Sequence, residues 1–223
     1  MATLLLRLAA PLQSWGVDSK FETRRTNVEP TKSGVVGLLA AALGIRRDEH
    51  EALGPLNALR FGVRVDQEGK LLADYQNATF EKTNVQSKRY YLSDAVFLVG
   101  LESDDEAFFA QLEDALCHPV FSLFLGRRSC PPTPPLCRGI VAAPLEKALM
   151  SAPLQTAAWN KSVKKSLRMM VEVDGQTPGA TSQRDLPITF SKVHRRYGYR
   201  PVCEMDCPLP GEPATEHDPF AEL

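Results

Sequence analysis

Apolar residues fall in short runs separated by polar loops, and the spacing within each run predicts an element. Residues 3–9 (TLLLRLA) are almost continuously apolar and predict a buried strand, ended by Ala10-Pro11. A polar, glycine-containing loop follows through Glu29. Thr31 or Ser33 can cap a helix whose spacing holds to Leu43, with Gly44 placed to end it. Gly34, Gly37 and Ala41 share one face of that helix, so it lacks bulk there and lets another backbone come close. Residues 59–65 alternate as a strand, and 95–101 form a continuously apolar one. Ser103 and Glu106 make a capping box before a helix with Phe108, Leu112, Ala115 and Leu116 on one face. Residues 120–125 predict a fourth strand that delivers the chain to Gly126. The order β-α-β-β-α-β over residues 1–143 predicts an α+β, ferredoxin-like domain of the kind RNA-recognition (RRM-like) domains also use.

Two segments depart from that plan. Between the second and third strands about 28 residues, 66–93, replace the two to five of a plain hairpin. They hold Tyr75, Phe80, Lys82, Lys88, Arg89, Tyr90 and Tyr91 but few large aliphatics, which predicts a protruding long hairpin or ordered loop. Such composition suits both single-stranded nucleic acid and a plain surface loop. Residues 144–202 are less regular, with strands expected at 167–173 and 188–193, and read as a small, mostly β appendage. Residues 203–223, with prolines and six acids, read as a poorly ordered tail.

Charge sharpens this picture. The formal net charge is −1, yet the tail has no Lys or Arg, which leaves the first 202 residues at +5. The bases there cluster: Lys82, Lys88 and Arg89; Arg127, Arg128 and Arg138; Lys161, Lys164, Lys165 and Arg168; Lys192, Arg195, Arg196 and Arg200. Interleaved with Tyr90, Tyr91, Trp159, Tyr197 and Tyr199, they point to a polyanion such as nucleic acid. No apolar run nears the roughly 20 residues of a membrane span, and the N-terminal run carries Arg7 and no cleavage pattern. A cytoplasmic protein with no membrane partner is expected. Five cysteines without tight CxxC spacing point to free thiols, with no metal and no cofactor.

The most informative stretch is LFLGRRSCPPTPPL at 123–136. Four prolines in five positions bar it from a central strand or a helix and hold it extended. Arg127 and Arg128 then stand at the end of a rigid element, either as solvated charges or as planar donor forks for phosphate. Lys32-Ser33 lacks the glycines of a phosphate loop, but the N–H groups of that helix start, beside Lys32, can hold an RNA phosphate. His194, beside Arg195, Arg196 and Tyr197, is the one place that supports metal-independent RNA cleavage.

Five blocks carry a resemblance: LRLAAPLQSWG at 6–16, PTKSGVVGLLAAALGI at 30–45, RYYLSDAVFLVGL at 89–101, LFLGRRSCPPTPPL at 123–136 and RDLPITF at 184–190. Together they resemble the Cas-five family subunits of Cascade, the type I-E CRISPR surveillance complex. The resemblance implies a ferredoxin-like domain with a β-hairpin thumb between strands two and three. It also implies a non-catalytic role: binding the 5′ handle of the CRISPR RNA and capping one end of the complex. The neighbours would be the Cas-seven backbone subunit and the large PAM-reading subunit, with target DNA an indirect partner. The implied RNA-binding set is Gln13, Ser14, Trp15, Arg24, Arg25, Thr31, Lys32, Ser33, Lys82, Lys88, Arg89, Tyr90, Gly126, Arg127, Arg128, His194, Arg195 and Arg196. The rival reading is a metal-independent endoribonuclease centred on His194, whereas the Tyr, Lys and His set with which type I-C relatives cut has no clear match in these blocks; a third is a purely protein-binding cap.

Overall fold

The computed structural model describes residues 1–16, 22–80, 83–156, 166–191 and 195–209. Strand β1 (Ala2–Ala9) leads through two short strands, β2 (Leu12–Gln13) and β3 (Thr23–Arg24), to helix α1 (Lys32–Leu43). A short turn of helix, α2 (Gly54–Ala58), precedes β4 (Arg60–Gln67), then β5 (Lys70–Phe80), β6 (Thr83–Ser93) and β7 (Val96–Ser103). Helix α3 (Glu106–Cys117), β8 (Cys137–Val141), α4 (Leu145–Ser151), β9 (Ser166–Glu172), β10 (Thr181–Thr189) and β11 (Arg196–Pro208) complete the elements of the described residues.

Seven strands form one sheet in the order β10-β11-β9-β4-β7-β1-β8, with every neighbouring pair antiparallel. Side chains alternate across it with period two. Leu4, Leu6 and Leu8 of β1 face α1 and α3 together with Phe61, Val63, Phe97 and Val99. Leu5 and Leu98 face the other way, against Leu145, Ala148 and Leu149 of α4 and Met169 and Val171 of β9. Burial on both faces is why β1 and β7 read as continuous apolar runs.

The long insertion is an eleven-by-eleven-residue hairpin: β5 pairs with β6 in register from Lys70↔Ser93 to Phe80↔Thr83. On the outer side of β6, β2 pairs antiparallel and β3 parallel, making a second sheet at the hairpin root.

Five expectations are corrected. Residues 120–125 are not a strand; the partner of β1 on the side away from β7 is β8, seventeen positions further along. The 120–125 run instead closes the C-terminus of α1, where Val120 and Phe121 N–H donate to the Ala42 and Ala41 carbonyls (3.0 and 3.1 Å). Helix α3 is capped by Asp105, whose Oδ1 accepts from Phe108 N–H (2.9 Å), because β7 runs on through Ser103. Residues 166–208 are no separate appendage: β9 pairs with β4 and extends the main sheet. β11 takes in residues 203–208, the start of the expected tail, and β10 ends at Thr189, so the strand expected at 188–193 lies earlier. No helix among the described residues is long and apolar enough to cross a membrane.

Candidate nucleic-acid interface

Beside α1, an open cleft of about 1070 Å³ is lined by the loop after β1, the segments after α1 and α3, and the start of β11. Among the described residues six arginines line it, Arg24, Arg46, Arg47, Arg127, Arg128 and Arg195, against one acid, Asp48. Phe121, Phe124, Phe190 and Tyr197 supply aromatic surface between them, above the buried Trp15. Guanidiniums for phosphates, interleaved with rings for bases, form the chemistry of a single-stranded nucleic-acid groove.

The floor is built by α1. Thr31 caps the helix, its Oγ1 accepting from Gly34 N–H (3.2 Å) and from the Ser33 hydroxyl (3.3 Å). Gly34 is required because the Trp15 ring lies on it: a Cβ there would come within 2.7 Å of the indole. The bulk-free face thus receives a ring, not a backbone. Trp15 is buried, with Nε1 donating to Gln13 Oε1 (3.2 Å), and Gln13 Nε2 donates in turn to Ala95 O (2.8 Å) and Leu8 O (3.3 Å).

The Gly-Arg-Arg segment forms one wall. Gly126 adopts φ +83°, and a Cβ on it would fall 1.7 Å from the Ser14 carbonyl oxygen, so only glycine fits. The two arginines behind it divide their work. Arg127 donates to the carbonyls of Tyr90 (3.0 Å) and Arg24 (2.9 Å) and lies over the Tyr91 ring at 4.5 Å, tying this wall to the hairpin root. Arg128 is exposed and has no partner among the described residues.

The expected site residues therefore separate. Arg24, Arg127, Arg128 and Arg195 line the cleft with Ser14, Trp15, Thr31, Ser33 and Gly126. Gln13 is corrected: it is wholly buried and holds Trp15, so it offers nothing to RNA. Lys32 is also corrected. It is 2% exposed, its Nζ binds Glu172 (Oε2 2.9 Å, Oε1 3.2 Å), and its N–H donates to Asp185 Oδ2 (2.8 Å). Protein carboxylates already occupy that helix start, and Arg200 Nε in turn holds Asp185 (2.6 Å). Burial pushes the Lys32 pKa below its ordinary value despite Glu172.

Arg25 and Arg196 are exposed outside the cleft lining, and Lys88, Arg89 and Tyr90 belong to the hairpin. Lys82 and His194, and the bases of 161–165, lie outside the described residues. Arg168 pairs with Glu29 (2.8 Å). Arg46, Arg47, Phe121, Phe124, Phe190 and Tyr197 were not in the expected set. The sequence signal at Arg46-Arg47 is masked by Asp48 and Glu49, yet Glu49 turns back to accept from the Arg46 N–H (2.7 Å) and leaves both guanidiniums free among the described residues.

Known proteins share this architecture. The family model CRISPR-associated protein (Cas_Cas5) matches residues 3–203. A curated relative, the CRISPR system Cascade subunit CasD of Escherichia coli (strain K12), is 37% identical over 170 residues, covering 66% of this chain and 75% of the relative. A chain of a solved CRISPR RNA-guided surveillance complex is 31% identical with a TM-score of 0.78, over 96% of this chain and 95% of that one. A second, from a crystal structure of a Cas protein, is 42% identical with a TM-score of 0.75, over 95% and 99%.

Proposed function

Because this chain belongs to the Cas5 family of CRISPR-associated proteins, we propose that it is a CasD-type subunit of a Cascade surveillance complex that holds the CRISPR RNA without cutting it. The observation that carries the RNA-holding reading is the cleft in which six arginines and four solvent-accessible aromatic residues come together among the described residues. In it, phosphate contacts supply affinity and the rings receive unstacked bases. The RNA segment held is the 5′ handle, and the protein caps one end of the complex beside the Cas-seven backbone and the large PAM-reading subunit. The antiparallel order β8-β1-β7-β4, with two helices on one face, supports a ferredoxin-like reading of the first part of the chain. The β5–β6 hairpin is then its thumb.

The test is binding of labelled handle RNA, followed by anisotropy at fixed salt in EDTA. Replacing Arg46, Arg47 and Arg128 by Ala is expected to weaken binding at least about tenfold, because each removes a phosphate partner, while thermal unfolding stays unchanged. Unaltered affinity would overturn the cleft assignment and favour a purely protein-binding cap. Specific cleavage of repeat RNA in the same EDTA buffer would overturn the non-catalytic role.

A further inference from the structure

The segment that builds one wall of the cleft carries a thiol at each end. Cys117 is the last residue of α3, and Cys137 is the first of β8. Between them the chain brings Val120, Phe121, Phe124, Gly126, Arg127 and Arg128 to the cleft. Backbone hydrogen bonds tie this segment to its surroundings: Val120 and Phe121 to α1, Thr133 N–H to the Ala9 carbonyl and Arg7 N–H to that of Leu136 (both 2.7 Å). Bonds of this kind open and close locally.

Helix α3 lies against β8, so the two ends of the segment meet. The Cys137 thiol donates to Glu113 Oε1 (3.6 Å). Glu113 and Cys117 stand four positions apart on α3 and so share one flank of it. Cys117 is exposed, Cys137 is half-buried, and both are free thiols. Burial pushes the Cys137 thiol above its ordinary pKa, and Glu113 and Cys117 add to that rise, so the two thiols lie within electrostatic reach of each other. The other cysteines are placed differently. Cys130 and Cys207 are buried, and Cys203 lies four strand positions, about 13 Å, from Cys207, which is too far for a disulfide.

We propose that Cys117 and Cys137 form a thiol-oxidation site, joined by exchange with a low-molecular-weight disulfide, and that the new bond closes the cleft wall into a covalent loop. The exposed Cys117 reacts first. Its thiolate attacks one sulfur of the small disulfide and displaces the other half as a thiolate. Cys137 then gives its proton to solvent and attacks Cys117 Sγ, displacing the second half. Two protein thiols are oxidised by two electrons, the small disulfide is reduced to two thiols, and the cysteine protons are balanced by those the two products take up. Cys117 sits in the last turn of its helix, where the backbone can adjust to disulfide geometry. A bond across residues 117–137 restrains the opened wall more than the closed one. RNA then meets a wall already in place. Bond formation stands apart from the RNA-holding reading above; only its effect on RNA rests on that reading.

The full chain, reduced and then incubated with oxidised glutathione, is expected to lose two thiols, retain no glutathione and yield a cross-linked Cys117–Cys137 peptide on digestion. Cys117→Ser should leave Cys137 unmodified, whereas Cys137→Ser should keep glutathione on Cys117. The thermal midpoint of the oxidised protein should rise by about 5 °C and return with dithiothreitol. Labelled handle RNA should leave the oxidised protein at least about threefold more slowly than the reduced one, with no such difference in Cys117→Ser treated the same way. Glutathione retained on wild-type Cys117, a cross-link between another pair, or an unchanged thiol count would each overturn the proposal. Equal RNA release from the two forms would overturn the link to the cleft. Formation of the bond in a protein that binds handle RNA in neither form would sink only the RNA-holding reading.

Discussion

A lysine at a helix start reads, in sequence, as a solvated cation ready for phosphate; Lys32 is instead nearly dark to solvent and closed by Glu172 and Asp185, 140 and 153 residues away. Only pairing of that kind makes a buried ammonium tolerable. The consequences are asymmetric. Glu172→Met leaves a buried charge uncompensated and is expected to cost about 3 kcal/mol. Lys32→Met leaves Glu172 partly in water and still accepting from Phe61 N–H (3.2 Å), so it should cost much less. Chemical denaturation of both variants and of the double variant gives the coupling. In Glu172→Met the Lys32 pKa falls further below 10.5. The unfolded chain then binds more protons than the folded one, so the deficit should shrink as pH rises toward that value. Lys32→Met should leave handle-RNA affinity unaltered. The residues legible from sequence were those whose role is local: Thr31 as cap, Gly44 as stop, Arg128 at the end of a proline-stiffened segment. Gln13 and Lys32 were misjudged, and Arg46 was missed, because distant partners or a turned-back Glu49 decide what they do.

At the scale of elements, β1, α1, β4, β7 and α3 were all readable, since each buries a periodic apolar set. The run VFSLFL at 120–125 has a strand's composition and none of its pairing, while β8, only CRGIV, completes the sheet with a weak pattern of its own. Val120 and Phe121 are 65% and 44% exposed, because they cover the end of α1 and border the cleft. The hairpin's existence followed from the insertion length, but its anchorage did not. Arg127 supplies that anchorage by bridging the Tyr90 and Arg24 carbonyls over the Tyr91 ring. A lysine, with one compact ammonium, cannot span all three. Arg127→Lys is therefore expected to lower hydrogen-exchange protection of the strand amides at the hairpin root, such as Lys88 N–H, which donates to Glu22 O (2.7 Å). The loss should be about tenfold, the scale of one hydrogen bond to a charged group. Arg128→Ala should leave exchange unchanged and weaken RNA binding. Equal exchange in wild type and Arg127→Lys would show that the bridge does not hold the hairpin.

For the molecule as a whole, the sequence suggests a break near residue 143, where the regular pattern ends, yet the fold runs through it. β9 pairs with β4 over Gly62↔Val171 to Val65↔Arg168, and β10 and β11 continue the same sheet. The second core lies astride the supposed boundary, with Leu5 and Leu98 from before it against Leu149, Met169 and Val171 from after it. Arg64, fully buried, is held by Asp66 (2.7 Å) and donates to the Ala152 carbonyl (2.6 Å) and to that of Leu149. Removing everything past residue 143 would strip one face of the sheet, free the β4 edge and leave the Arg64 guanidinium without its carbonyls. An uncovered apolar face and an open strand edge favour aggregation over folding. A fragment of residues 1–143 is thus expected to be insoluble, or, if soluble, to bind a hydrophobic dye and melt without cooperativity. The cleft predicts the same outcome from another side, since Phe190, Arg195 and Tyr197 come from beyond the cut. A cooperatively melting 1–143 fragment that still bound handle RNA with full affinity would show that the later strands are dispensable both to the core and to the site.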